Sequence, residues 1–209
     1  MINSKCKICR RVGVKLFLKG ERCFSPKCAM VKRPYSPGGK MKRKVRSLSE
    51  YGKELKEKQK LKNWYNLKEE QFSKYVKKAL GKRGKVEDAR TFLIKELESR
   101  FDNIIFKLGW VSSHSQARQM ISHKHFLVNG KRVNIPSYRL KKGDKITIHP
   151  SSLKLNIFQN LPTVLKKHQL PSWLELNLEK LEGEIKEEPF IEESDLPAEI
   201  SVIFEHYSR

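Results

Sequence analysis

The stretch SHSQARQMISHKHFLVNGKRVN, residues 113–134, decides the fold class. Ser113 followed three residues later by Gln116 is a capping-box pattern, so a helix is predicted to begin there. The apolar positions of that helix share one face, which is expected in the core: Ala117, Met120 and Ile121. Asn129–Gly130, between strand-forming residues, predicts a β-hairpin. A helix that runs directly into a hairpin indicates an α+β domain.

Two apolar stripes before this stretch predict further helices. The first has helical spacing over residues 72–80: Phe72, Tyr75, Val76, Ala79 and Leu80. The second has the same spacing over residues 93–108: Leu93, Leu97, Phe101, Ile104 and Leu108. We expect a break in the second stripe near Asp102, because Asp can cap a new helix, and a stop at Gly109. Beyond the hairpin, alternation predicts a strand that contains Ile146 and Ile148.

These elements divide the chain into four predicted parts. Residues 1–44 hold a cysteine knuckle and a basic connector, and residues 45–97 form a helical region. Residues 98–160 form a compact helix–helix–β domain, and residues 161–209 form an acidic C-terminal region. Within that region, residues 195–209 are a candidate to pack on the helical region. The predicted class is α+β, with a helical N-terminal part that includes a small four-cysteine metal knuckle.

The charge of the chain is large and unevenly distributed. Its 209 residues carry 45 Lys and Arg against 23 Asp and Glu, a formal net charge of +22. Residues 1–170 hold 42 basic and 12 acidic side chains, whereas residues 171–209 hold 3 basic and 11 acidic ones. Such an excess of positive charge repels itself unless a polyanion neutralises it. The basic part therefore suits a nucleic-acid backbone, and the acidic end is expected to face solvent, a basic protein or the chain's own basic surface.

The distribution of apolar residues excludes several classes of protein. The longest uninterrupted apolar run is Cys28–Val31, which is far short of the roughly 20 residues of a membrane span. Charged residues interrupt the start of the chain, so a secretory signal is not expected. No glycine-rich phosphate loop, Ser-His-Asp order or pair of carboxylates in a neutral setting stands out. We therefore expect an intracellular, cytoplasmic protein that has no catalytic residues.

All four cysteines lie near the start of the chain: Cys6, Cys9, Cys23 and Cys28. Two close pairs joined by a loop are the spacing that tetrahedral thiolate coordination requires. An intracellular cysteine cluster is more often a metal site than a disulfide framework. Zn²⁺ is the expected ion, and an iron–sulfur cluster stays an alternative that the spacing does not separate from it. Because four thiolates leave no open position, the ion is expected to stabilise the fold rather than to catalyse a reaction.

Basic side chains recur in the connector, in the helical region and in the compact domain. Singly, each is an ordinary solvated side chain, but together they predict a surface that follows a phosphate backbone. The connector is expected to stay unfolded unless it lies on an anion. The predicted RNA-binding residues are Lys42, Arg43, Lys44, Arg46, Lys58, Lys60, Lys62, Arg100, Arg118, Lys124, His125, Lys131, Arg132 and Arg139.

Seven strings of this sequence resemble one known family, the small-subunit ribosomal protein four family of the bacterial and organellar type. They are LFLKGERC (16–23), PYSPGG (34–39), LSEYGKELKEKQKLKNWY (48–65), RFDNIIFKLGW (100–110), QARQMISHKHFLVNGKRVNIPSY (116–138), PSWLELN (171–177) and VIFEHYSR (202–209). The resemblance covers nearly the whole chain, and residues 98–160 resemble the RNA-binding domain named after that family. Zinc-binding members carry four cysteines that match those of this chain, so the resemblance also implies Zn²⁺.

The resemblance implies a structural ribosomal protein rather than an enzyme. Family members bind the 5′ region of small-subunit rRNA, nucleate subunit assembly, contact another ribosomal protein near the point where messenger RNA enters, and support decoding accuracy. The implied location is a ribosome, in the cytoplasm or in an organelle, and no membrane is involved.

Two alternatives would use the same RNA-binding domain. One is an RNA-modifying or tRNA-charging enzyme, and the other is a zinc-containing nucleic-acid-binding regulator. The enzyme would need a catalytic Asp or a nucleotide loop, which the sequence does not offer. The regulator would need a recognition helix presented to the major groove of DNA.

Overall fold

The structure is a computed structural model that describes residues 4–38, 47–81, 86–159, 161, 165, 168–178, 180–189 and 196–208. The chain divides into two compact units, Met1–Leu93 with Asp195–Arg209, and Ile94–Ser194. We call the first the knuckle-helix unit and the second the sheet unit. Among the helices in the described ranges, none combines the length and the apolar character that crossing a membrane requires.

The knuckle-helix unit is helical. Its helices are α1 (Lys5–Val12), α2 (Glu21–Phe24), α3 (Ala29–Lys32), α4 (Glu50–Trp64), α5 (Glu69–Gly81) and α10 (Ile200–Ser208). Helix α4 begins after Ser49, whose Oγ accepts a hydrogen bond from the Gly52 N–H at 3.3 Å. The predicted stripe over residues 72–80 lies on α5, with three of its members buried: Phe72, Val76 and Ala79. Helix α10 packs against α4 and α5 through its apolar face: Ile200, Ile203 and Phe204.

The sheet unit combines helices with one antiparallel sheet. Helix α6 (Val86–Glu98) leads into it, followed by α7 (Phe101–Lys107), α8 (His114–Ser122) and α9 (Asn156–Gln159). The strands are β1 (Phe126–Val128), β2 (Lys131–Arg132), β3 (Lys145–Ile148), β4 (Leu174–Asn177) and β5 (Glu182–Ile185). Their order in the sheet is β2-β1-β3-β5-β4. Strand β2 is therefore at one edge, and β4 is at the other.

The core of the sheet unit joins α7, α8 and the sheet around the ring of Phe126. That ring stacks on Trp110 with 5.7 Å between ring centroids, and it meets Phe101 and Phe158 edge to face. Aromatic pairs of this kind add to the free energy gained by burying their apolar surface. The predicted strand that contains Ile146 and Ile148 is confirmed as β3, and both of these side chains are buried.

The predicted α+β class is confirmed, and local details differ. Asn129 and Gly130 have φ values of 49° and 77°, as a two-residue type I′ hairpin turn requires. The helix break falls at Arg100, whose extended backbone caps α7, and not at Asp102, which lies in the first turn. Half of the predicted capping box forms: the Ser113 Oγ accepts from the Gln116 N–H at 3.4 Å, while Oε1 of Gln116 accepts from Ser112.

Strands β4 and β5 differ from the separate acidic region that the sequence predicts for residues 161–209. Strand β5 pairs with β3, and β4 pairs with β5, so both extend the sheet of the compact domain. Trp173 and Ile185 are buried in its core. The acidic side chains of β4 and β5 alternate with residues that face the core. The sequence of this stretch therefore appears simply acidic, although it contains two short strands.

Candidate nucleic-acid interface

One surface of the sheet unit combines exposed cations with histidines. We call it the β2-edge surface and define it by six residues: His123, Lys124, His125, Lys131, Arg132 and His149. Lys131 and Arg132 are exposed on the edge strand. Lys124 is exposed directly after α8 with a φ of 61°, and its N–H donates to the carbonyl of Ile121 at 2.8 Å. Ordered elements therefore position all three cations.

Direct contacts hold the histidines of the β2-edge surface beside Arg132. Nη2 of Arg132 donates to Nε2 of His149, and the His149 N–H donates to the His125 carbonyl at 2.8 Å. Nδ1 of His125 lies 2.8 Å from Oγ of Ser152. The rings of His123 and His125 stack with 5.9 Å between centroids. Burial lowers the pKa of His125, and the neighbouring His123 and His149 lower it further.

The cations of the β2-edge surface differ from Arg100, Arg118 and Arg139, which pair with carboxylates. Within the described residues, no carboxylate forms an ion pair with Lys124, Lys131 or Arg132. In contrast, Arg139 pairs with Glu96. Exposed cations without a carboxylate partner can contact the phosphates of a nucleic acid and displace the counterions that are condensed on it.

Arg100 is a correction to the predicted RNA-binding set. Its side chain is 2% exposed and donates twice to Asp102, from Nε to Oδ1 at 3.0 Å and from Nη2 to Oδ2 at 2.7 Å. Arg118 also donates to Oδ2 of Asp102, at 2.8 Å, and its side chain is 24% exposed. Arg100 therefore stabilises the start of α7, where the positive end of the helix dipole also favours Asp102.

The structure also gives the predicted lysines of α4 a different role. Lys58 and Lys62 pair with the two carboxylate oxygens of Glu69 on α5, at 2.7 Å and 2.9 Å, and Lys60 pairs with Glu57. Burial alone would raise the pKa of Glu69, but hydrogen bonds from Lys58 and Lys62 lower it to about 2. The three lysine side chains are between 11% and 15% exposed. Lys58 and Lys62 join α4 to α5, and Lys60 pairs within α4. The three do not form a free cationic surface, which corrects the prediction.

Two further differences concern the limits of the predicted set. Lys42, Arg43, Lys44 and Arg46 of the basic connector lie outside the described residues.

Sequence reasoning missed His149 and Ser152, which follow β3. Pairing of Phe126 with Ile148 in the β1–β3 register places residue 149 beside residue 125. The alternation of apolar residues predicted strand β3 itself. Only the pairing of β3 with β1 shows that the residue after β3 lies beside His125.

Hydrogen bonds join three buried polar side chains from the end of α6, from α7 and from α8. Nδ2 of Asn103 donates to Oε2 of Glu98 at 2.6 Å, which leaves Oδ1 of Asn103 to accept from Nε2 of His114 at 3.1 Å. The His114 ring also packs against Phe106 with 4.2 Å between centroids. Burial lowers the pKa of His114 to about 4, and nearby Arg118, Lys107 and Arg100 act in the same direction, against Asp102.

We expect the stability of the sheet unit to fall as the pH drops from about 6.5 to about 4. In this window the unfolded His114 binds a proton that the folded one excludes, so unfolding is favoured, by about 3 kcal/mol at the lower limit. Urea unfolding at several pH values measures the loss. The His114→Gln variant has no such titration, so its stability deficit relative to the original protein should shrink on acidification. A constant deficit would contradict the prediction.

The four cysteines lie together in the knuckle-helix unit. Cys6 and Cys9 are on α1, Cys23 is on α2, Cys28 caps α3, and all four line one small cavity as free thiols. The Lys19 N–H points to Sγ of Cys23 at 3.4 Å. Burial raises the pKa of Cys9, and an N–H bond from Leu16 opposes that shift.

This donor set fits a thiolate metal site in chemistry and in proximity. In the arrangement that the described residues adopt, however, no group of three or more His, Cys, Asp or Glu side chains could hold a metal ion. Zinc is therefore not confirmed. Four free thiols around one cavity are the observation that keeps it as a hypothesis.

Comparisons with known proteins cover nearly the whole chain. Family models match residues 1–95 as a ribosomal protein S4/S9 N-terminal domain and residues 99–146 as an S4 domain. Small ribosomal subunit protein uS4 of Thermotoga maritima is 42% identical over 205 residues, which are 98% of this chain and 96% of the relative. The protein of the same name from Thermus thermophilus is 41% identical over 208 residues, 100% and 98% of the two chains. That from Syntrophobacter fumaroxidans is 43% identical over 209 residues, 99% and 98%.

Proposed function

Because the chain belongs to the ribosomal protein S4 family, we propose that its β2-edge surface binds the 5′ region of small-subunit rRNA. The protein is an rRNA-binding structural component of the small ribosomal subunit, and it is not an enzyme. The alternatives of an RNA-modifying enzyme and a zinc regulator are not favoured, since full-length relatives carry the ribosomal name.

The observation that carries the proposal is a group of exposed cations on the β2-edge surface that form no ion pair with a carboxylate of the described residues. Lys131 and Arg132 are fixed by the sheet, and Lys124 is fixed by the end of α8. The major groove of an A-form helix is too deep and narrow for side chains to read, so proteins recognise folded RNA mainly by its shape and its phosphates. Cations that are already held at fixed positions suit such recognition, because less conformational entropy is lost when they bind the RNA.

Competition binding tests the proposal. The protein is titrated with transcripts of the 5′ and the 3′ region of small-subunit rRNA, with tRNA and duplex DNA as competitors, at several salt concentrations. We expect binding to the 5′ transcript that survives near physiological salt. Equal binding to all nucleic acids, lost together as salt rises, would show that charge alone acts and would overturn the proposal.

The family also supports a role in subunit assembly and decoding. We propose that the protein joins the small subunit early, contacts another ribosomal protein near the point where messenger RNA enters, and supports decoding accuracy on cytoplasmic ribosomes. Stepwise reconstitution with and without the protein tests the first part. Misreading of a reporter codon, measured with variants that still assemble, tests the last.

We further propose that Cys6, Cys9, Cys23 and Cys28 hold one Zn²⁺, which would fix the segment around α1, α2 and α3. The short helices α2 and α3 have four residues each, and helices of that length are not stable alone. Four thiolates from two pairs would link them to α1. The ion would supply folding free energy and no catalytic step, because all four positions would be occupied by the chain.

Removal of the ion is expected to unfold this segment. The Cys9→Ser variant should contain no zinc by elemental analysis and should be cut by protease near the start of the chain, because metal binding and folding are coupled. The matched control Ser25→Ala, in the loop between Cys23 and Cys28, should keep one zinc per chain. Visible absorbance would indicate an iron–sulfur cluster instead. Protein purified without any metal and with an ordered N-terminal segment would contradict the proposal.

A further inference from the structure

Two aromatic rings lie at the surface of α2 and of the loop before it. Phe24, the last residue of α2, is 74% exposed. Its ring stacks on Phe17 with 4.9 Å between centroids and an interplanar angle of 28°. We propose that these two residues form a stacking platform for an unpaired RNA base, and this inference rests on the proposed rRNA binding.

The backbone around Phe17 holds its ring toward the surface. Leu16 and Leu18 on either side are buried with Cys9 in a small core, so the side chain between them points away from that core. Phe17 has a φ of 48°, in the left-handed region that residues other than glycine seldom adopt. Its carbonyl accepts from the Gly20 N–H at 3.2 Å. Strained backbone of this kind concentrates where it positions a functional group.

Phe24 has one ring face covered and the other face available. Within the described residues, Phe17 is the only ring that contacts it. A single exposed apolar side chain is ordinary on a protein surface. Here, however, the Phe17 ring stacks on one face of the exposed Phe24 ring. The pair offers a flat aromatic face of the kind on which nucleobases stack.

The charge around the rings favours RNA over an apolar protein surface as the occupant. Residues 4–33 contain ten Lys and Arg and only one acid, Glu21. Nζ of Lys15 lies 5.1 Å from the centroid of the Phe17 ring. Aromatic rings among cations are the combination by which proteins bind single-stranded nucleic acid, since cations neutralise the backbone while rings stack on bases. An unpaired base is the required ligand, because a base within a duplex already stacks on its neighbours.

Substitutions at position 24 test the platform by binding to the 5′ rRNA transcript. Phe24→Ala is expected to weaken binding by about 5-fold to 150-fold, the usual range for loss of one base stack. Phe24→Tyr and Phe24→Trp should retain affinity because they keep a flat ring. Phe24→Leu keeps apolar area without a ring and should bind as weakly as the alanine variant.

The salt dependence separates stacking from charge. Because stacking releases no counterions, the slope of log affinity against log salt should be unchanged in Phe24→Ala. The matched control is Val31→Ala, since Val31 is 62% exposed in the same segment and has no ring. Zinc content and protease resistance of each variant report whether the segment is still folded.

A photoreactive phenylalanine analogue at position 24 identifies the occupant in reconstituted small subunits. Crosslinks to RNA are expected. Crosslinks to protein alone, or a leucine variant that binds like the tyrosine variant, would overturn the platform. Failure of the original protein to select the 5′ transcript would instead overturn the proposed function, so the two failures can be told apart.

Discussion

Replacement of Asp102 by Asn is expected to lower the free energy of unfolding of the sheet unit by about 3–5 kcal/mol. The carboxylate is 1% exposed and accepts two hydrogen bonds from Arg100, which is 2% exposed, and a third from Arg118. Asparagine offers one oxygen in place of two and turns an NH₂ group toward a guanidinium donor. The buried positive charge of Arg100 then lacks its compensating carboxylate, and that is the main penalty.

Urea unfolding followed by tryptophan fluorescence measures this loss, because Trp110 and Trp173 are buried in the sheet unit. The matched control is Glu175→Gln, which removes the 2.8 Å pair with Lys186 where both side chains are 54% exposed. We expect that control to leave the stability nearly unchanged, because solvent screens an exposed pair.

A double variant isolates the charge penalty at Asp102. Arg100→Met combined with Asp102→Asn should be less destabilised than the sum of the two single changes, because no buried cation remains to be compensated. Additive effects, or an Asp102→Asn variant as stable as the original protein, would contradict this explanation.

Replacement of both Lys131 and Arg132 by Ala is expected to weaken binding to the 5′ rRNA transcript by about 10-fold to 100-fold near physiological salt. The slope of log affinity against log salt should become shallower by about 2, because two phosphate contacts no longer release counterions. The sheet should stay folded, since both side chains are exposed on a two-residue edge strand.

A second double variant controls for net charge. Lys180 lies between β4 and β5, and Lys186 directly follows β5; both are exposed, and β4 is at the opposite edge of the sheet from β2. Their replacement by Ala removes the same charge and should change affinity by only a few-fold, through the long-range field. Equal losses in the two double variants would show that overall charge decides binding, and that the β2-edge surface is not the contact.

Much of the local structure was predictable because it depends on neighbours in the chain. The spacing of Phe72, Val76 and Ala79 gave the buried face of α5, and the Asn129–Gly130 pair gave the β1–β2 turn. Lys131, Arg132 and Lys124 were identified as candidate RNA contacts from their charge alone. Helical and strand periods, caps and turns are written within a few residues, so a sequence reveals them.

The sequence by itself therefore determined the α+β class, the basic character, the cysteine pairs and the family resemblance. Only the tertiary structure decided which of the described cations pair with carboxylates. It buried Arg100 against Asp102, joined Lys58 to Glu69, and brought His149 to Arg132. It also placed Gly183 against Leu108: a Cβ there would lie 2.7 Å from a methyl group of Leu108, so a larger residue would require that buried side chain to shift. Whether a charge meets a phosphate or a carboxylate depends on residues distant in the chain, and folding alone brings those residues together.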